Sequence, residues 1–413
     1  MTGDLLGCVD IFKQPISLSG FLSESYMFGY AVASFCQDAL TEVALSLAAA
    51  PVKSRLYHYL SGKSAMDKNL CQNIRHRLMK FSSRLFAAMI LGLSFFGTAF
   101  AADHAVILMY HRFGEDKYPS TNIRLEQFDA HLEKLSDGNY TVLPLAKIID
   151  RLQTGKPLPD RTVAITIDDA YLSVYEEAWP RLQELGLPFT VFVATEPVEK
   201  NRRGYMSWEM LRELQSAGVT IGSQTHTHPH LYRESPDKVR EEIQLSNDYF
   251  IKELGIRPEL FAYPFGEYSS FVIEIVKEAG FVAAFGQNSG IMHSKDMFFE
   301  LPRFAFNEDY GTTDRLELAI NGLPLKITDL TPEDMVLTEN PPLYGFTLHE
   351  DMRPEGQLRC FASGFGKVDV SIIGRRAEIR LPDALKEGRS RINCTMPAGQ
   401  NRWRWFGRQF LTN

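Results

Sequence analysis

Between Ala105 and Phe285 short apolar runs alternate with amphipathic segments, and few architectures accommodate that order. The runs are "AVILMY" (105–110), "VAITI" (163–167), "FTVFV" (189–193), "VTIG" (219–222), "LFAY" (260–263) and "FVAAF" (281–285). Near-continuous β-branched and aromatic strands of this kind are buried on both faces, as in a parallel sheet covered by helices. Helical patterns lie between them near Leu125–Leu135, over Tyr171–Leu185, at Trp208–Ala217 and near Phe271–Ala279. Ser235 is a candidate N-cap for a long helix to about Leu254, with Pro236 at the first helical position, where its missing N–H costs nothing. About six or seven such units without a glycine-rich dinucleotide turn point to an α/β fold of distorted (β/α)-barrel form more than to an open sheet. In barrels the chemistry sits at the C-terminal ends of the strands.

The barrel is expected over 102–325. Beyond Leu325 the texture changes to short runs such as "KVDVSIIG", "SRINCTM" and "RWRWFGRQF", separated by Gly, Pro and Asn. These predict a small β-rich domain over 326–413, a sandwich or an added sheet. Within it Cys360 and Cys394 are an even pair, fit for a disulfide in an oxidising compartment or for two buried thiols. Alternation along the last strand puts Trp403 and Trp405 on one face, either packed onto the barrel or presented as a sugar platform.

The stretch "MKFSSRLFAAMILGLSFFGTAFAADH" from Met79 has a basic start (Lys80, Arg84), an apolar core over Leu85–Phe96 and Ala99-Phe100-Ala101 before Ala102. This is the pattern of a signal peptide, and its core is short for a membrane span, which needs roughly 20 residues. We therefore expect a signal peptide over 79–101, with 1–78 an extension upstream of the true start. The mature protein is then periplasmic or secreted, with no stable membrane span. A net charge of −7 and the lack of a basic run argue against nucleic acid as a partner.

Four stretches at strand ends carry candidate chemistry. Asp168 and Asp169 follow directly on "VAITI", and two carboxylates at the end of a buried strand are costly unless they are used. One suits a metal ligand and the other a general base, although Asp169 also stands where a helix N-cap would. "GSQTHTHPHL" (222–231) sets His226, His228 and His230 beside a proline after "VTIG". An Asp oxygen with imidazole nitrogens suits zinc or a similar divalent ion. "FAYPFGEYS" (261–269) forms an aromatic wall able to expose a backbone N–H, or an ordinary turn. His111, in "ILMYHRFG", reads equally as a core histidine and as a catalytic acid.

"TIDD", "SQTHTHPHL" and "FAYPFG", in this order and spacing, resemble the signature motifs of the polysaccharide deacetylase family, the NodB-like carbohydrate esterases. "MYHRF" on the first strand looks like the arrangement in secreted poly-N-acetylglucosamine deacetylases. The resemblance spans about residues 104–310. It implies a barrel of the polysaccharide deacetylase type that removes N-acetyl groups from an amino-sugar polymer, with a divalent transition metal. It also implies Asp168 as base, Asp169 and His228 as metal ligands, Phe265 N–H as oxyanion donor and His111 as the acid. The first histidine ligand of the family falls on Gln224, a departure. An amide oxygen is a poorer donor for zinc-like ions than imidazole. Extended alternation makes His226 the substitute ligand and His230 less so, since Pro229 interrupts it. A second departure is Ala262, where many members have Arg; Arg303 in "LPRFAF" is the candidate to orient the base, or else a surface ion pair. The rival functions are a catalytically silent carbohydrate-binding homologue and an O-acetyl esterase acting on a glycan.

Overall fold

The computed structural model describes residues 101–352 and 357–412. The expected extension over 1–78 and, save for Ala101, the expected signal peptide over 79–101 lie outside them. The described residues all fall within one compact unit.

The apolar runs become parallel strands: β1 (His104–Tyr110), β2 (Thr162–Asp168), β3 (Phe189–Val193), β4 (Thr220–Ser223), β5 (Leu260–Ala262) and β6 (Ala283–Phe285). They neighbour one another in chain order, β1 on β2 through to β5 on β6. The gap between β6 and β1 is bridged by the chain that follows. Phe285 pairs with Leu301, and three residues later β7 (Phe304–Ala305) pairs with Leu108 and Met109 of β1. The sheet therefore curls into a barrel. Every residue of β2, β3, β5 and β6 is buried, which is why these strands read as unbroken apolar runs.

Helices cover the outside. α1 (Leu125–Leu135) buries Phe128, Leu132 and Leu135, and α2 (Leu145–Gln153) buries Leu145, Ile148, Ile149 and Leu152 at helical spacing. The helix expected over Tyr171–Leu185 is shorter and begins with a π-turn, Val174–Ala178, before α3 (Trp179–Glu184). Pro180 forces this: it has no N–H for a normal helical bond, so the regular helix restarts around it. α4 (Trp208–Ser216), α5 (Pro236–Leu254) and α6 (Ser270–Glu278) follow. The Ser235 side chain caps α5 by accepting from Lys238 N–H, and Gly255 ends it in the left-handed region. α7 (Thr313–Ile320) closes the series.

The C-terminal part is one sheet of eight strands. In chain order they are β8 (Leu323–Pro324), β9 (Ile327–Thr331), β10 (Tyr344–Leu348), β11 (Arg359–Ala362), β12 (Gly366–Ile373), β13 (Arg376–Arg380), β14 (Gly388–Pro397) and β15 (Trp403–Thr412). Their spatial order is β8-β15-β14-β11-β12-β13-β10-β9, antiparallel apart from β8 against β15. Tyr344, Phe346, Ile379, Ile392 and Phe410 form its core. Cys360 and Cys394, directly opposite each other on β11 and β14, are joined in a disulfide within that core. Trp405 packs edge-on against Phe304 of the barrel, and Trp403 keeps 39% of its surface exposed. Among the described residues no helix is long and apolar enough to cross a membrane.

Candidate active site

The C-terminal ends of β1, β2, β4 and β5 converge on a cavity of about 350 Å³. His111, Asp169, Gln224, His228 and Phe265 line it, with Tyr171 and Tyr205 as an aromatic side wall. A larger cavity of about 630 Å³ lies against the C-terminal sheet and gathers none of these residues.

Backbone strain concentrates here. Among the described residues ten non-glycines have positive φ, and five of them are Asp169, Ala170, Thr225, His228 and Phe265. Such conformations cost about 1–3 kcal/mol each and persist where the surroundings over-determine them, as at functional sites. The left-handed turns at Thr225 and His228 also decide which histidines face the cavity, because they destroy the alternation that an extended segment would have.

Gln224 and His228 stay together. The Gln224 amide oxygen accepts from Asp169 N–H at 3.3 Å, and its NH₂ donates to His228 Nε2 at 3.0 Å. Burial pushes the His228 pKa down, a shift that Asp169 and Asp168 only partly oppose, which favours the neutral ring whose Nε2 accepts from Gln224. Asp169 Oδ1 lies 3.5 Å from His228 Nε2 and is buried without a hydrogen bond.

His226 does not take the vacant ligand place. Its ring stacks on Tyr249, with Nδ1 2.8 Å from Thr195 Oγ1, and its loop is pinned by the buried Glu242 carboxylate, which accepts from His226 N–H and Thr227 N–H. His230 is turned onto the Phe265 ring and bonded through Nδ1 to Glu267 at 2.5 Å. Among the described residues no three His, Cys, Asp or Glu side chains form a metal cluster. The donor set is Asp169, His228 and the Gln224 amide. It fits a divalent ion in two respects: a buried carboxylate oxygen has no other partner, and the imidazole beside it is neutral. The amide makes the third corner weaker than imidazole would.

Asp168 stands behind the cavity wall and is fully buried. Arg303, equally buried, meets it with a two-pronged contact of 2.7 and 2.8 Å, and two further donors go to Gly286 O and Thr166 Oγ1. The guanidinium thus comes from the chain entering β7. Asp168 Oδ2 faces His111 Nε2 at 3.9 Å. Sequence reasoning missed Tyr171, Tyr205 and Arg389, which also lines the cavity. Tyr171 lies two residues past Asp169 and was within reach of that motif; Arg389 carried no signal.

Residues 155–284 match the polysaccharide deacetylase family model. YxkH of Bacillus subtilis (strain 168) is 26% identical over 175 residues, which cover 42% of this chain and 61% of that protein. The poly-beta-1,6-N-acetyl-D-glucosamine N-deacetylase of Escherichia coli (strain K12) is 25% identical over 205 residues, 40% of this chain and 30% of that one. The chain thus spans less than two thirds of either relative. Among solved structures, the Streptococcus pyogenes deacetylase PplD, in complex with acetate, superposes with a TM-score of 0.49 at 24% identity, covering 52% of this chain and 98% of that one. The likeness to the polysaccharide deacetylase family thus rests on residues 155–284 of the chain.

Proposed function

We propose that the protein hydrolyses N-acetyl groups on an amino-sugar polysaccharide, releasing acetate and leaving free amines in the polymer. One observation carries this reading. A carboxylate locked by a buried guanidinium, Asp168 on Arg303, adjoins a cavity where Asp169 Oδ1 and neutral His228 face each other unbridged. A polymer of N-acetylglucosamine is the substrate class favoured, in keeping with the name of the E. coli relative.

Asp169, His228 and Gln224 would hold a divalent ion, zinc or a similar transition metal. When bound, such an ion acidifies water and polarises the acetyl carbonyl. In the reading proposed, Asp168 Oδ2 takes the proton of the attacking water, and the two-pronged contact of Arg303 holds that carboxylate in place. Phe265 N–H donates to the carbonyl oxygen as it gains charge. The neighbouring N–H groups of Gly266 and Glu267 are already committed to Tyr263 O and Pro264 O. His111 Nε2 delivers a proton to the departing nitrogen. Tyr171 and Tyr205, tilted 43° to each other, give the sugar ring an aromatic wall. A periplasmic or secreted setting suits a disulfide-bonded chain and a polymer substrate.

The test is acetate release from N-acetylglucosamine polymer by the purified protein, with and without chelator. Release from an O-acetylated glycan but not from the N-acetylated polymer would move the reading to an esterase. A second reading, a sugar-binding homologue without turnover, rests on the Gln224 N–H that occupies the His228 lone pair. Metal binding separates the two. Gln224→His is expected to tighten zinc binding by about tenfold or more, measured by equilibrium dialysis. In the same assay His228→Ala should lower bound metal. Unchanged affinity in both variants would remove these side chains from the metal site.

A further inference from the structure

We propose that the C-terminal sheet belongs to the catalytic apparatus, with Arg389 as the positioning residue for the turn that carries Phe265. The proposal rests on Phe265 N–H being the oxyanion donor. Two neighbouring strands of the C-terminal sheet reach the turn at consecutive carbonyls. Arg389 of β14 donates through Nη1 to Phe265 O at 2.9 Å, and Gln409 of β15 donates through Nε2 to Gly266 O at 3.2 Å. Arg391 pairs with Gln409 across the two strands, so Arg389 and Gln409 are offset by one pleat and grip the turn side by side.

Arg389 also fixes the ring side of the turn. Its Nε lies 3.4 Å from Glu267 Oε1, and Glu267, almost wholly buried, holds His230 at 2.5 Å. His230 in turn lies flat on the Phe265 ring, with centroids 4.1 Å apart, while His228 meets the same ring edge-on at 4.5 Å. Opposite the grip there is no slack: a Cβ on Gly266 would stand 2.5 Å from Gln287 N. The left-handed Phe265 (φ 58°) is therefore pinned by its carbonyl, its ring and its neighbour, and two of the three pins trace to Arg389. Arg389 lines the cavity but spends Nη1 and Nε on the protein, which suits orienting the turn rather than binding sugar.

The experiment uses the full chain carrying Arg389→Ala, with Arg389→Lys beside it. Arg389 is partly exposed, so the variant is expected to fold, with a melting temperature within about 4 °C of the parent. Amide exchange in peptides covering 263–267 should speed by about tenfold or more, since the protecting grip is gone. Acetate release should show kcat lower by about 10–10²-fold, the scale of a misplacement near 1 Å, with KM within about threefold. Lysine should restore part of both. Unchanged exchange overturns the proposal, and so does faster exchange with unchanged kcat. A raised KM at constant kcat would make Arg389 a sugar contact instead, and a large fall in melting temperature would make it a purely structural one. If the parent itself releases no acetate, the deacetylase reading fails, and the exchange measurement still decides whether Arg389 holds the turn.

Discussion

Asp168→Asn is expected to lower acetate release by at least about 10²-fold, the usual scale for loss of a general base. It should cost stability too. Asp168 and Arg303 are both fully buried, so the amide leaves a guanidinium without its counter-charge. Breaking a buried pair from one side costs about 3–5 kcal/mol. Adding Arg303→Met removes the stranded charge and is expected to recover much of the unfolding free energy, measured by urea denaturation, while turnover stays lost. That double variant separates chemistry from folding. Turnover within a few-fold of the parent in Asp168→Asn would take Asp168 out of the reaction.

Deleting residues 326–413 is expected to destabilise the barrel. The barrel would lose Trp405 from Phe304, Gly407 O from Asn288, Arg408 from Glu300 and Arg402 from Asp160. At about 1 kcal/mol for each such contact, and about 2–4 °C per kcal/mol for a domain of this size, the melting temperature should fall by about 10 °C. Calorimetry of the truncated and full chains tests this. An unchanged melting point with weaker polymer retention would instead make the C-terminal sheet a separable binding module.

What the sequence disclosed follows from how local each signal was. The strands of the barrel were legible because burial on both faces leaves few polar residues beyond threonine to blur the run. α5 was legible at both ends, from Ser235-Pro236 to the glycine after Leu254. α2 was passed over although Leu145, Ile148, Ile149 and Leu152 carry the helical spacing, because no capping residue announces it: Pro144 stands at its start. The facing of His226 was out of reach for a different reason. Alternation assumes an extended chain, and two left-handed residues within four positions invert the facing of His226. The grip of Arg389 and Gln409 on Phe265 and Gly266 joins residues more than 120 positions apart, and nothing in either stretch names the other.

The strap that closes the barrel has a consequence for when the protein becomes competent. Arg303 lies in that strap, 135 positions after the carboxylate it neutralises, and the grip on Phe265 comes from residues near the end of the chain. A polypeptide emerging from its N-terminus therefore exposes both aspartates and the histidine long before it owns the cation that steadies one of them. On the proposed reading the site is the last thing to be finished, so unfinished or prematurely ended chains are expected to release no acetate.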